Sequence, residues 1–234
     1  MVKEELIQRS PVRIFMNSIH GGLRPGELGL IASPSGIGKT SVLVQIALDK
    51  LLQDKKVIHI SFTQHTDYVL AWYEDIFNEF TRKKNLENEQ EVKDDIVKNR
   101  VLMKFTQGGV SGGQITRSLR ALIKDGNFDA KAIIVDGYDF SAMEEGSLAK
   151  VKSFAQEMGV SVWYSCTVKG NEPHFDKKGI PLVVKDVAQL LDVILILDPK
   201  TDHIALSVSK DRDNSNPEHL ALKLDPKTLL ILED

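Results

Sequence analysis

Short apolar runs alternate along this chain with stretches of helical spacing. Residues 28–32 form an uninterrupted apolar run of the kind that makes a buried strand. Residues 39–53 follow with Val42, Ile46, Leu48 and Leu52 among the apolar positions of a helix. A second strand is predicted at 56–62. A helix over 67–84 then carries Leu70, Tyr73, Phe77 and Phe80. Residues 81–100 are dense in both charge signs, which predicts a solvated helix or an insertion. Strands at 101–105, 132–135 and 160–166 alternate with helices at 114–124 and 147–158. After that the period changes. Residues 193–197, 203–208, 220–224 and 229–232 read as consecutive strands with no long helix between them. Such an order implies one α/β domain over residues 1–234, with a mainly parallel central sheet flanked by helices and extended by C-terminal antiparallel strands.

Composition narrows the class without naming it. At 234 residues, with 42% hydrophobic and 27% charged side chains, the chain can bury one sizeable core. The net charge of −3 gives no bulk attraction for polyanions, so any nucleic-acid contact has to come from a local patch. Cys166 is the single cysteine, which excludes an internal disulfide and fits a reducing compartment. No apolar run approaches the ~20 residues of a membrane span, and the first ten residues hold no apolar signal core. A cytoplasmic protein without a membrane partner is the expectation.

The segment Ser33-Pro34-Ser35-Gly36-Ile37-Gly38-Lys39-Thr40 carries the chemistry. It joins a predicted strand to a predicted helix, the context in which a Walker A loop works. Gly36 and Gly38 let main-chain N–H groups turn inward around phosphates, and the helix adds its N-terminal dipole. Lys39 is placed to reach the β and γ phosphates, and the Thr40 hydroxyl to hold Mg²⁺. Ser35, Gly36, Ile37, Gly38, Lys39, Thr40 and Ser41 are the expected phosphate-binding set for ATP. The full pattern wants glycine where this chain has Ser33. Chance alone would produce Gly-x-Gly-Lys-Ser/Thr in roughly one chain of this length in a hundred, so the flanking elements decide the assignment. The run Ala132-Ile133-Ile134-Val135-Asp136 ends an apolar strand on a carboxylate, as a Walker B strand does, and makes Asp136 the second metal candidate.

The stretch His20-Gly21-Gly22-Leu23-Arg24-Pro25-Gly26-Glu27-Leu28, just before the loop, resembles the turn that enters the P-loop strand in the RecA superfamily. The likeness is to KaiC and RadA proteins and to the motor domain of DnaB-type helicases, and it spans residues 12–232. The resemblance implies a RecA-like P-loop ATPase fold. It also gives a meaning to Ser209-Lys210-Asp211-Arg212. In such rings a Lys-x-Arg pair projects onto the γ phosphate held by the neighbouring subunit. Residues two apart on an extended strand share a face, so Lys210 and Arg212 can point together. A shared site of that kind implies a homo-oligomer, a hexameric ring.

One departure bears on turnover. The family's catalytic glutamate lies at the end of the strand after the P-loop helix, and here that stretch reads Ile60-Ser61-Phe62-Thr63-Gln64-His65. Neither Thr63 nor Gln64 is a useful base at neutral pH. Gln64 can orient a water, and His65, Asp67 and Asp139 are nearby alternatives. Thr167, at the end of the 160–166 strand, is the candidate to contact the γ phosphate. The loops that carry DNA in ring relatives correspond to residues 137–145, which are acidic, and 168–180, which hold Lys169, His174, Lys177 and Lys178. No His or Cys cluster has zinc spacing, and no nucleophilic triad is present. Two functions follow: an ATPase with shared intersubunit sites and slow hydrolysis, or a nucleotide-dependent switch that recruits a protein partner without turnover.

Overall fold

The strands beside the glycine loop are buried along nearly their whole length because the sheet is covered on both faces. The computed structural model describes residues 11–82, 89–109, 111–169, 174–214 and 218–233. In chain order the elements are α1 (Pro11–Ser18), β1 (Leu28–Ser33), α2 (Lys39–Leu52), β2 (Lys56–Ser61), α3 (Thr66–Arg82), α4 (Glu89–Lys98), β3 (Arg100–Lys104), α5 (Gly112–Arg120), β4 (Ala130–Asp136), α6 (Ser147–Met158), β5 (Ser161–Thr167), β6 (Val193–Pro199), β7 (Ile204–Asp211), β8 (Glu218–Leu224) and β9 (Ile231–Glu233). A wider turn over Ala121–Asp125 continues α5, and a 3₁₀ segment over Leu182–Leu190 precedes β6.

Among the described residues the strands form one sheet in the order β3-β2-β4-β5-β1-β6-β7-β8-β9. The pairs from β3 to β6 are parallel, and β7, β8 and β9 are added antiparallel. This is the expected mainly parallel sheet with C-terminal hairpins. Alternation along each strand feeds two cores. Ile31, Ile134 and Trp163 face α1, α2, α3 and α4. Leu30, Ile133, Val135 and Tyr164 face α5, α6 and the 3₁₀ segment.

Two local features differ from the sequence expectation. The charged stretch 81–100 contains α4, whose Val92 and Ile96 lie one turn apart and are buried at 4% and 5% exposure. That helix therefore docks one apolar edge on the core. Residues 83–88 lie outside the described residues. Helix α1 lies ahead of the first element the sequence pattern predicts; its Val12, Phe15 and Met16, with the following Ile19, are buried, and Phe15 packs on Trp163 at 6.4 Å between ring centres.

Helix α2 carries a buried polar stripe, Ser41, Gln45 and Asp49, at four-residue spacing. The Ser41 hydroxyl donates to the Leu229 carbonyl at 2.5 Å, and Gln45 donates to the same carbonyl at 2.9 Å. Gln45 Oε1 accepts from the Ile231 N–H at 2.9 Å. Asp49 pairs with Arg13 at 2.8 Å. The stripe thus fixes the β8–β9 turn beside the glycine loop and pins α1 to α2.

Candidate functional site

The carboxyl ends of β1, β2, β4 and β5 meet at one edge of the sheet, where open α/β folds bind ligands. The parallel register sets Ser33 opposite Thr167 and Ser61 opposite Asp136. A cleft of about 500 Å³ opens there, lined among others by Ser35, Gly36, Lys39, Thr40, Gln64 and Asp136. Its size is that of a cofactor or substrate cleft.

The loop's left-handed turns fall at Gly36 (φ 78°) and Gly38 (φ 98°). Ser33 is instead the last residue of β1, fully buried and without a positive φ. The serine in place of the pattern's first glycine therefore costs this backbone nothing. Gly38 is confined twice, because a Cβ there would lie 2.5 Å from Leu224 Cδ2. Gly38 is also the N-cap of α2, so the first amides of that helix have no carbonyl of a preceding turn.

Lys39 lies on the floor of the cleft at 8% exposure. Its Nζ donates to the Pro34 carbonyl at 2.7 Å and to the Ser33 carbonyl and hydroxyl at 3.1 Å. Burial pushes its pKa down, while Cys166 and Asp136 act in the opposite direction. The Thr40 hydroxyl donates to Asp136 Oδ2 at 2.8 Å. Ser165 donates to Asp136 Oδ1 at 2.6 Å and accepts from the Gly137 N–H at 2.8 Å. Both oxygens of the buried carboxylate are thereby aimed, one toward the loop and one toward β5. Ser165 is a site residue the sequence reading passed over; only the β4–β5 pairing brings it to Asp136.

Gln64 also reaches the cleft. Ser61 holds its turn, accepting from the Gln64 N–H at 2.9 Å and donating to the Gln64 carbonyl at 3.0 Å. The carboxamide Oε1 is buried without a hydrogen-bond partner among the described residues. Thr63 packs on Gly137. Of the alternative bases, Asp139 lines the cleft but is held by Ser141 at 2.6 Å and Lys169 at 2.9 Å. Those contacts hold its pKa below the usual carboxylate range, Ser141 contributing most. His65 and Asp67 pair with each other at 3.1 Å on the exposed start of α3, outside the cleft lining. Thr167 lines the cleft, half-buried. Ile37 and Ser41 do not: Ile37 packs against the core and the Ser41 hydroxyl is spent on Leu229. Any contact they make to a phosphate is through the main chain.

No protein-family model matches the sequence, and no curated protein does. Solved structures do. The ATPase domain of a DnaB-like helicase superposes with a TM-score of 0.69 at 14% identity, covering 96% of this chain and 90% of that one. This chain has the RecA-like fold.

Within the RecA-like sheet, Lys210 and Arg212 lie at the end opposite the glycine loop. Lys210 pairs in register with Ile194 of β6, which itself lies opposite Leu30 of β1. Neither cation can reach the cleft of its own chain. Their local geometry differs from two residues sharing one strand face, since β7 stops at Asp211 and Arg212 is left-handed at φ 56°. Lys210 caps the end of the 3₁₀ segment, donating to the carbonyls of Ala188 at 2.8 Å and Leu191 at 2.5 Å. Arg212 makes a bidentate pair with Glu27, both contacts 2.9 Å, and also donates to the Gly22 carbonyl at 2.9 Å. Among the described residues no helix is long and apolar enough to cross a membrane.

Proposed function

We propose that this chain binds ATP with Mg²⁺ in the cleft at the carboxyl edge of the sheet and hydrolyses it slowly, in an assembly where each copy completes its neighbour's site. The observation that carries this reading is the Thr40–Asp136 hydrogen bond at the foot of a glycine loop that opens onto helix amides. The residues fit the ligand. Nothing lies within 4 Å of a Cβ built on Gly36, so the loop's concave side is open. Thr40 and Asp136 offer two hard oxygens side by side, the donor type that Mg²⁺ prefers. When bound, Mg²⁺ would neutralise charge developing between the β and γ phosphates.

The protein's own part is positioning. The loop amides and Lys39 hold the triphosphate tail; Thr40 and Asp136 hold the metal, with Ser165 fixing the carboxylate. Gln64 supports an amide oxygen that can accept a hydrogen bond from an attacking water. It cannot remove the proton, which is why hydrolysis is proposed to be slow. Lys210 and Arg212 are proposed to act on a neighbouring copy's nucleotide. For that, Arg212 must first leave Glu27, so the intramolecular pair sets a threshold on activity.

A second reading, a nucleotide-loaded switch that recruits a protein partner, is favoured by the same two observations: no carboxylate at Thr63–Gln64, and Arg212 held within its own chain. Phosphate release measured across protein concentrations separates the two. Specific activity that rises with concentration supports shared sites. ATP retained intact at every concentration supports the switch.

A further inference from the structure

Helix α3 has two faces of different character. Its inner stripe is Val69, Tyr73, Ile76 and Phe77, each at most 2% exposed. Its outer stripe carries Tyr68, Trp72 and Asp75, at spacings of four and three that set them on one side of the helix. Tyr68 is 68% exposed, the most of any large apolar side chain among the described residues. With Gln64 these residues line an open groove of about 410 Å³.

The chemistry of the groove suits a guanidinium. From residue 61 to residue 81 the chain holds four carboxylates, Asp67, Glu74, Asp75 and Glu79, and no Lys or Arg. Asp75 has no ion-pair partner among the described residues. Arginine stacks on aromatic faces while it pairs with a carboxylate. Helix α3 shows that arrangement once within its own chain: Arg100 lies over the Tyr73 ring, 4.2 Å from its centre, and Glu74 adds electrostatic attraction. The outer stripe repeats those residue types, and among the described residues no cation of the same chain sits over Tyr68 or Trp72.

Two adjacencies indicate which arginine fits. Gln64 and Trp72 line both the groove and the nucleotide cleft, so a neighbouring copy that reaches the nucleotide also lies beside the groove. At the other end of β1, Glu27 Oε2 accepts from the Arg24 N–H at 2.7 Å and from Arg212 Nη2 at 2.9 Å. Arg24 and Arg212 therefore stand side by side on the edge that cannot reach its own cleft. Lys210 and Arg212 are held by hydrogen bonds within the chain. Arg24 is exposed, and its guanidinium has no ion-pair partner among the described residues.

We infer that Arg24 of one copy seats in the Tyr68–Trp72–Asp75 groove of the next, in a head-to-tail contact between unlike surfaces. The inference rests on the shared-site reading above. It gives that interface a recognition pair separate from the cations aimed at the phosphate, built of the residue types that dominate interface energetics.

Sedimentation velocity of the full chain with Mg-ATP tests it. Arg24→Glu and Asp75→Arg each set like charges against each other and weaken self-association about tenfold. Mixed one to one, the two variants restore it to within about threefold of the wild type, because every contact in the mixture again joins opposite charges. A variant that merely disturbed its own chain would gain nothing from the mixture. Tyr68→Ala, which alters no charge, weakens association roughly threefold. Association unchanged in all three variants, or a mixture no better than its components, overturns the pairing and leaves the groove to an arginine of another protein. A wild-type chain that stays monomeric while calorimetry shows Mg-ATP bound overturns the shared-site reading together with the pairing. A wild-type chain that assembles with the variants unaffected overturns the pairing alone.

Discussion

Adding one methyl group to Gly38 tests the loop geometry quantitatively. The residue is left-handed at φ 98°, and its Cβ would lie 2.5 Å from Leu224 Cδ2, a fully buried side chain. A left-handed alanine costs about 1–2 kcal/mol. Forcing a methyl against a packed leucine adds about 1–3 kcal/mol. Gly38→Ala therefore destabilises by about 2–5 kcal/mol, which lowers Tm by roughly 4–20 °C at about 2–4 °C per kcal/mol for a chain of this size. Gly36 supplies the control. It is also left-handed, at φ 78°, but nothing lies within 4 Å of its Cβ. Gly36→Ala should carry the backbone cost alone, a fall of roughly 2–8 °C. Placing Gly38→Ala in a Leu224→Val background should return part of the difference. Thermal melts followed by circular dichroism measure all three. Equal Tm losses for the two alanine variants, or a neutral Gly38→Ala, would refute the packing argument.

Ser165→Ala removes the donor to Asp136 and the acceptor of the Gly137 N–H, so it costs about 1–3 kcal/mol in urea denaturation, and weakens Mg²⁺-dependent ATP binding. Gln64→Glu places a carboxylate where an amide oxygen already sits unpaired, and should raise phosphate release by roughly 10²-fold; an unchanged rate would show that the base belongs elsewhere. Burial pushes the His59 imidazole down to about 4 from an ordinary 6.5. The unfolded chain therefore binds the extra proton first as pH falls. Stability is whole above about pH 6.5 and declines by about 3 kcal/mol toward pH 4, in a slope that His59→Gln should flatten. Glu27→Gln loosens the hold on Arg212 and should increase the concentration-dependent part of any ATPase activity; a decrease would mean that the pair positions Arg212 rather than restraining it.

The glycine loop and the strand ending at Asp136 were readable in the sequence because each is a contiguous segment whose backbone requirements appear as residue types. The change from alternating strands and helices to consecutive strands likewise announced the antiparallel edge. What was not readable depends on contacts distant in sequence. Ser165 matters through its register against β4, and nothing in its own neighbourhood marks it. Ser41 looks like part of the phosphate set by position, yet the Leu229 carbonyl claims its hydroxyl. The mixed charge over 81–100 hid the Val92–Ile96 edge, because two apolar residues one turn apart are a weak signal among so many charges. Two-residue spacing alone sets Lys210 and Arg212 on one strand face, whereas the left-handed turn at Arg212 sends its guanidinium back to Glu27.

Calorimetric titration of Mg-ATP into the wild type and Lys39→Ala tests the central claim most directly. The account predicts saturable binding by the wild type and an affinity at least about tenfold weaker in the variant, since a charged donor to phosphate contributes about 1.5–3 kcal/mol. Equal affinities, or no binding to the wild-type chain with magnesium present, would contradict it.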